Sequence, residues 1–301
     1  MTAVEIKMAD IKGFTTIEVA RLCRVSDATV KRWEEAGLLK SERTSGGHRR
    51  FRAEEVARFQ REQGLGLKQS HGDESVVKTM PRARDKKNRS DSAFLQSLLD
   101  GGEEAAANVF ITAHLEGTSL TEIIDRLVCP AMREIGELWH RNKISVAQEH
   151  LATRTAISAL YKLRNALPVP EMRHRSAICC AMEGDLHELP TLLAQMAIEN
   201  EGLEVINFGA ATPLYSLADE VERHAPNLVC ISAAVINDLE RLSRDYKDFR
   251  EKTAKLEIPI LLGGRVFEDE HIRKRFKCEF YARSFTEVAE FARTLTEKRP
   301  D

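Results

Sequence analysis

The sequence predicts a multi-domain protein of α and α/β parts, a helical N-terminal half and a C-terminal doubly wound parallel sheet. Two observations lead to this prediction. Between residues 92 and 167 the apolar residues recur at the three- or four-residue spacing of helices. From residue 176 onward, short apolar runs such as "SAICCAM" and "LVCISAA" alternate with amphipathic segments. This alternation is typical of a flavodoxin-like parallel sheet covered by helices.

Composition divides the chain into four parts. Residues 12–64 are compact and rich in helix signals, and residues 92–168 predict a bundle of about four helices. Between them, residues 65–91 are polar and almost free of large apolar side chains, so we predict a flexible linker. The sheet domain is expected to cover residues 174–298.

Charge and cysteine content are those of an ordinary globular protein. The chain has 45 basic and 47 acidic residues, so its net charge indicates no class of partner. It has no apolar run of membrane-spanning length and no secretory signal at its first residues, so we expect a cytoplasmic protein without membrane contact. The six cysteines are expected to be buried thiols, with a dithiol metal sensor at Cys179–Cys180 as the alternative.

Helix signals near the N-terminus predict a helix-turn-helix. Thr16 is expected to cap a first helix and Ser26 a second, with a short connection between them. A hairpin follows in "ERTSGGHRRF", where Gly46 and Gly47 would supply the positive φ of its turn. The second helix should turn three residues inward, namely Val30, Trp33 and Leu38.

The outward-facing side chains of this module are suited to DNA. A helix of this kind enters the major groove, and arginines on a hairpin wing bind phosphates. The predicted DNA-binding residues are Thr29, Lys31 and Arg32 on the helix and Arg43, His48, Arg49 and Arg50 on the wing.

Several short patterns in this module occur together: "EVARL", "VS..TV..WE..GLL" and "GG.R.F". With them, residues 14–63 closely resemble the winged-helix DNA-binding domain of the MerR family. The resemblance implies binding to a double-stranded DNA operator. MerR regulators usually continue into a long dimerisation helix, and here the predicted linker follows instead, so dimerisation is expected to come from another part of the chain.

The helical segment carries two further signals. Pro130 interrupts the periodic run "SLTEIIDRLVCPAMREIGELW" and should bend that helix, and Ser145 should cap the next one. Around them lie Trp139 and, after nine intervening residues, the pair Glu149–His150. Taken alone, a packed Trp and an exposed Glu–His pair account for these residues.

Their combination with the sheet domain changes the interpretation. Asp185 and His187 follow the first predicted strand, at the sheet edge where ligands bind in open sheets of this type. A helical bundle with W-x9-E-H followed by a sheet domain with D-x-H-x-x is similar to the cobalamin-binding half of the light-dependent MerR-type repressors of carotenoid synthesis. This resemblance covers residues 92–297.

The resemblance implies a role for each matching residue. His187 would be the lower axial ligand of cobalt, and Asp185 would fix the tautomer of its ring. Ser232 and the pair Gly263–Gly264 would line the path of the cofactor's nucleotide tail.

On the upper side of the cofactor, the resemblance implies that Trp139 packs on the adenosyl group and Glu149 hydrogen-bonds it. His150 would bind cobalt after light has broken the cobalt–carbon bond. The implied protein is a non-enzymatic photoreceptor that uses adenosylcobalamin and forms a dimer or tetramer, which releases DNA on illumination.

Two departures from the family pattern leave alternatives open. Pro190 stands where the motif has glycine, and the usual S-x-L reads Ser232-Ala233-Ala234. Pro190 is tolerated in the first turn of a helix but adds bulk and removes an N–H beside the tail. The alternatives are a cofactor-free domain used for oligomerisation or partner binding, and a corrinoid methyltransferase subunit.

Overall fold

The computed structural model describes residues 13–65 and 93–297, and nearly all of the predicted linker lies outside them. The chain forms two compact units. The first, called unit 1, comprises Met1–Ser119 and Pro130–Pro168. The second, called unit 2, comprises Leu120–Cys129 and Val169–Asp301. The boundary between them therefore falls inside the segment predicted as one helical bundle.

Unit 1 begins with the predicted helix-turn-helix and its hairpin. The elements are α1 (Thr16–Leu22), α2 (Asp27–Glu35), β1 (Glu42–Arg43), β2 (Arg49–Arg50) and α3 (Ala53–Glu62). The two short strands pair antiparallel and form the wing. In its turn only Gly47 has a positive φ, of 76°, so Gly46 does not have the conformation that the sequence predicts for both glycines.

The caps of the first two helices show one agreement and one correction. Ser26 caps α2, as predicted, by accepting a hydrogen bond from the Thr29 N–H. The cap of α1 is Thr15 and not Thr16. The reason is a capping box, because Glu18 lies three residues after Thr15 and its carboxylate accepts from the Thr15 N–H.

The helix-turn-helix, the wing and α3 are together called the head. Its core differs from prediction at one residue. Val30 is fully buried, and Trp33 packs on Phe59 of α3 with ring centroids 4.7 Å apart. Leu38 is exposed, and Leu39 is buried in its place. The helical spacing does not extend to Leu38, because α2 ends at Glu35 and the chain turns sharply afterwards.

The helices of the second segment follow the predicted order. They are α4 (residues 93–99), α5 (Glu103–Leu115), α6 (Leu120–Ile123), α7 (Cys129–His140) and α8 (Val146–Ala166). Ser145 caps α8, as predicted, in a capping box with Gln148. A π-helical turn, Ile124–Val128, joins α6 to α7 just before Pro130. The wider turn accommodates a proline that an α-helix interior would reject.

The first part of this helical run is fastened to the sheet domain within unit 2. Asp125 accepts hydrogen bonds from the backbone N–H groups of Phe285 and Thr286, at 2.9 and 3.0 Å. The Thr286 hydroxyl donates a third, at 2.7 Å. Asp125 therefore caps the N-terminal end of the last helix, α13 (Phe285–Glu297), from a distant part of the sequence.

Five parallel strands form the sheet of unit 2, in the order β4-β3-β5-β6-β7. This is the flavodoxin-like order, so the predicted fold class is confirmed. The strands are β3 (Ser176–Ala181), β4 (Glu204–Asn207), β5 (Leu228–Ser232), β6 (Ile260–Gly263) and β7 (Phe280–Ala282). The helices between them are α9 (Leu189–Glu199), α10 (Leu214–His224), α11 (Leu239–Thr253) and α12 (Glu270–Arg273). Two apolar clusters cover the two faces of the sheet.

The cysteines are all free thiols, and three of them lie in the core of the sheet. The hydrogen bond with Cys230 and burial raise the pKa of Cys179, and burial raises that of Cys180. High thiol pKa values disfavour the thiolate that binds metals. No group of three metal-binding side chains occurs within residues 13–65 and 93–297. None of the helices in these ranges has the length and apolar character that a bilayer crossing requires.

Candidate functional site

The candidate site in unit 2 lies at the carboxyl ends of β3 and β5, the central strands of the sheet. The chain order reverses between these strands, and such a point opens a crevice in doubly wound sheets. The loop that follows β3 carries Asp185 and His187, and Ser232 is the last residue of β5. The structure thus places three predicted cofactor-binding residues at one edge of the sheet.

Asp185 and His187 form a close carboxylate–imidazole pair. His187 Nδ1 lies 2.6 Å from Asp185 Oδ1, which also accepts from the His187 backbone N–H at 3.0 Å. The Ala234 backbone N–H donates to the other oxygen, Oδ2, at 2.6 Å. Asp185 is 1% exposed, whereas the His187 side chain is 59% exposed. Because the carboxylate accepts at Nδ1–H, the Nε2 lone pair of His187 is left for a metal.

Backbone contacts from the neighbouring strands fix the loop that carries this pair. The Met182 N–H donates to the Ser232 carbonyl at 2.8 Å, and the Ala211 N–H donates to the Asp185 carbonyl at 2.8 Å. Ala211 has a φ of 51°, which is unusual for a residue with a side chain. The loop is therefore held from both sides, which orients the imidazole before any ligand arrives.

Ser232 places a buried hydroxyl group at this edge of the sheet. Its side chain is buried, and its hydroxyl oxygen has no hydrogen-bond partner among the described residues. A buried hydroxyl without a partner is costly and calls for an explanation. A polar ligand group bound at the end of β5 would satisfy it, as the resemblance to cobalamin-binding proteins implies.

The two glycines after β6 have different structural requirements. Gly264 has a φ of 103°, and a Cβ atom there would lie 2.4 Å from the Ala233 carbonyl oxygen. Only glycine permits this close approach of two backbones. At Gly263 the nearest atom, the Ala282 carbonyl oxygen, would lie at an ordinary 3.6 Å. The close packing at Gly264 thus requires glycine, whereas a Cβ at Gly263 would make an ordinary van der Waals contact.

Pro190 occupies the first turn of α9, as predicted. Its missing N–H belongs to the turn whose N–H groups have no partner within the helix, so α9 forms normally. Its departure from the family glycine therefore concerns the ligand and not the fold.

The predicted upper-side residues lie in unit 1, around the connection from α7 to α8. Trp139 is half exposed at the end of α7, and Val146 and Leu151 of α8 are also half exposed. Glu149 accepts a hydrogen bond from the Thr153 hydroxyl at 2.9 Å. His150 Nε2 lies 3.6 Å from Glu149 Oε2, and its side chain is 70% exposed. The connection from α7 to α8 thus exposes three large apolar side chains and one imidazole.

The sequence reasoning missed a second imidazole in this region. His140 directly follows Trp139 and is exposed at the end of α7. The signal was its adjacency to Trp139, which the W-x9-E-H pattern passes over. His140 and His150 are thus two exposed imidazoles close to the connection from α7 to α8.

The predicted DNA-binding residues of the head fall into two groups by their solvent exposure. Lys31, Arg32, Arg43 and His48 are exposed. Thr29, Arg49 and Arg50 are half-buried and have local partners or neighbours. The Thr29 hydroxyl bonds to Ser26 and Arg32, and Arg49 pairs with Glu34.

Three family models match the chain. The MerR family regulatory protein model matches residues 15–51. Two models described as B12 binding domains match residues 92–164 and residues 175–294. The chain combines a MerR-family regulatory domain with cobalamin-binding domains. This combination is that of a transcriptional regulator controlled by cobalamin, as the sequence predicts.

The chain is similar to a transcriptional repressor and to corrinoid proteins. An "HTH-type transcriptional repressor CarH" from Myxococcus xanthus is 22% identical over 81% of this chain and 86% of its own length. A "Trimethylamine corrinoid protein 1" from Methanosarcina acetivorans is 19% identical over 66% of this chain and 93% of its own. The solved Methanosarcina barkeri monomethylamine corrinoid protein shares the fold, with a TM-score of 0.58 at 14% identity over 69% of this chain and 99% of its own.

Proposed function

We propose that the protein is a light-dependent, operator-binding regulator that uses adenosylcobalamin as its chromophore. The observation that carries this proposal is the pair of His187 and Asp185 at the sheet edge. An exposed Nε2, with Nδ1 fixed by a buried carboxylate, is the arrangement of a metal-binding histidine. Similarity to a repressor named CarH over most of the chain supports the same function.

The residues of unit 2 fit the cofactor chemically. His187 would donate its Nε2 lone pair to cobalt from the lower side, with Asp185 holding the ring. Ser232 offers the partnerless hydroxyl and Gly264 the close backbone surface for the nucleotide tail. When bound, adenosylcobalamin supplies a cobalt–carbon bond that light breaks.

In unit 1, the half-exposed Trp139 offers an aromatic face for the adenosyl group, and Glu149 offers a hydrogen-bond acceptor. His150, to which the resemblance assigns cobalt binding after illumination, is an exposed imidazole, and His140 is a second one close to the same connection. We further propose that the dark form assembles into a dimer or tetramer that binds DNA, and that light disassembles it. An operator-binding protein shares a compartment with its DNA, so we place it in the cytoplasm.

The test uses the purified full-length chain with adenosylcobalamin, kept dark or illuminated with green light. The wild type should retain the cofactor through gel filtration and select a sequence from a random double-stranded DNA pool in the dark only. His187→Ala should lose the lower-ligand absorption features and dark DNA binding. His271→Ala, which changes an exposed histidine on α12, is the control. Equal DNA selection in light and dark, or no retained cofactor, would refute the proposal.

Two observations favour alternative functions, and the same experiments distinguish them. Pro190 lacks the backbone N–H that the family's glycine would offer to the cofactor, which favours a cofactor-free domain that only oligomerises or binds a partner. In that case His187→Ala would leave the oligomer and its DNA binding unchanged. The similarity to corrinoid proteins favours a methyltransferase subunit, and methyl transfer from bound methylcobalamin to a thiol would reveal it.

A further inference from the structure

One carboxylate of helix α2 contacts both strands of the wing. Glu34 lies in the last turn of α2, and its Oε2 accepts from Arg49 Nε of β2 at 2.9 Å. Its Oε1 accepts from the Ser41 hydroxyl, just before β1, at 2.8 Å. Arg43 Nη2 of β1 lies 3.9 Å from the same oxygen. The Glu34 and Arg49 side chains are only 17% and 22% exposed, so solvent screens their attraction less than at an open surface.

The wing needs such a contact because it is very small. Each strand has two residues, and a two-stranded hairpin of this size is marginally stable alone. Arg43 and Arg49 are also directly opposite each other in the register, where like charges destabilise a pair. The hydrogen bond from Ser41 and, second in size, the one from Arg49 lower the pKa of Glu34. The charged form of Glu34 is therefore favoured next to Arg43 and Arg49.

We propose that Glu34 is a positioning residue for DNA binding, which holds the wing against α2, the helix predicted to enter the major groove. The proposal rests on the DNA-binding part of the proposed function. In this arrangement Arg49 pairs with Glu34, and this ion pair joins the wing to α2. The exposed Arg43 and His48 are then the wing side chains that remain for phosphates.

The two roles open to Glu34 predict opposite signs. If it were only an acidic side chain near DNA, removing its charge would strengthen binding to the phosphate backbone. If it positions the wing, removing its charge releases Arg49 and weakens binding. The neighbouring Glu35 is the matched control, since its side chain is 65% exposed and reaches Arg49 only at 3.8 Å.

The experiment compares Glu34→Gln and Glu35→Gln in the full-length protein loaded with adenosylcobalamin in the dark. The probe is the duplex that the wild type selects from the random pool. Glu34→Gln should weaken binding about tenfold, the value of one charge-assisted hydrogen bond, and Glu35→Gln should leave it unchanged or stronger. The dependence of affinity on salt should also become shallower in Glu34→Gln, because fewer phosphates are contacted.

A double-mutant cycle with Arg49→Gln identifies the partner. Glu34→Gln with Arg49→Gln should bind no more weakly than either single variant. Equal strengthening in Glu34→Gln and Glu35→Gln, an unchanged salt dependence, or additive losses would overturn the proposal. If Glu34→Gln unfolds the head, as Trp33 fluorescence would report, Ser41→Ala takes its place with a smaller expected loss. If the wild type selects no duplex, it is the proposed function that fails.

Discussion

The two units each contain a carboxylate–histidine pair, and the two pairs are built differently. In unit 2, Asp185 is buried, accepts from two backbone N–H groups, and lies 2.6 Å from its histidine. In unit 1, Glu149 and His150 are neighbours on an exposed helix face, 3.6 Å apart. A hydrogen bond orients the first imidazole, whereas the second is 70% exposed and has only the longer contact with its carboxylate. A fixed imidazole suits a ligand that stays bound, and a free one suits a ligand that binds in only one state.

The largest effect is expected from the backbone that supports the fixed pair. In Gly264→Ala, the new Cβ would meet the Ala233 carbonyl at 2.4 Å, and the φ of 103° would be strained. This should lower the free energy of unfolding by about 3 kcal/mol and displace Ala234, whose N–H bonds Asp185. Urea unfolding monitors the change, with Gly263→Ala as the control. Equal effects of the two substitutions would show that the close approach is not needed.

Removing the buried charge of Asp185 tests directly whether the two carboxylate–histidine pairs differ. Asp185→Asn should weaken adenosylcobalamin binding about 10- to 100-fold, because the ring of His187 loses its orienting acceptor. The new NH2 group would also face a donor, either the Ala234 N–H or the N–H groups of His187. Glu149→Gln should change the affinity less than about threefold. Titration in the dark measures both, and a similar loss in the two variants would mean that the pairs are equivalent.

The hydroxyl of Ser232 provides a prediction in which stability and binding move differently. Ser232→Ala removes a buried group that has no partner, so the unfolding of the cofactor-free protein should be unchanged or shifted to higher temperature by about 1–2 °C. Cofactor affinity should fall about tenfold if the hydroxyl bonds the tail. Calorimetry and titration give the two values. A loss of stability without loss of affinity would make Ser232 a structural residue.

Local signals made much of the fold predictable. The caps at Ser26 and Ser145 and all five strands could be read from residues close together in sequence. Local reasoning was wrong where two neighbours competed for one role. Thr15 caps α1 instead of Thr16 because its partner Glu18 stands at the right distance, and Leu39 is buried instead of Leu38 because the helix has already ended.

The contacts that organise the sites could not be predicted, because they join distant parts of the chain. The Ala234 N–H that fixes Asp185 comes from 49 residues away. Asp125 caps a helix 160 residues away. Arg49 of the wing, predicted to bind phosphate, donates a hydrogen bond to Glu34 of α2, 15 residues away. Sequence patterns indicated which residue types occur at a site, but not which backbone groups hold them.

The smallest effect is expected at Glu54, a carboxylate of unit 1. Burial and, second in size, the nearby charge of Glu104 raise the pKa of Glu54 above its ordinary 4.5. The positive charge of Lys162 acts in the opposite direction and lowers it. A carboxyl with a raised pKa binds its proton more tightly in the folded protein. Its stabilising contribution is therefore complete below pH 4.5 and is lost as the pH rises through the folded pKa.

Glu54→Gln should remove this loss, so its Tm should exceed that of the wild type by about 1–2 °C at pH 7 and match it more closely at pH 4. The exposed Glu103→Gln serves as the control and should show no such pH-dependent difference. Thermal unfolding between pH 4 and pH 8 measures the trend. A Tm for Glu54→Gln below that of the wild type at pH 7 would mean that the attraction of Lys162 outweighs burial. Glu54 would then resemble the well-partnered Asp185 rather than its opposite.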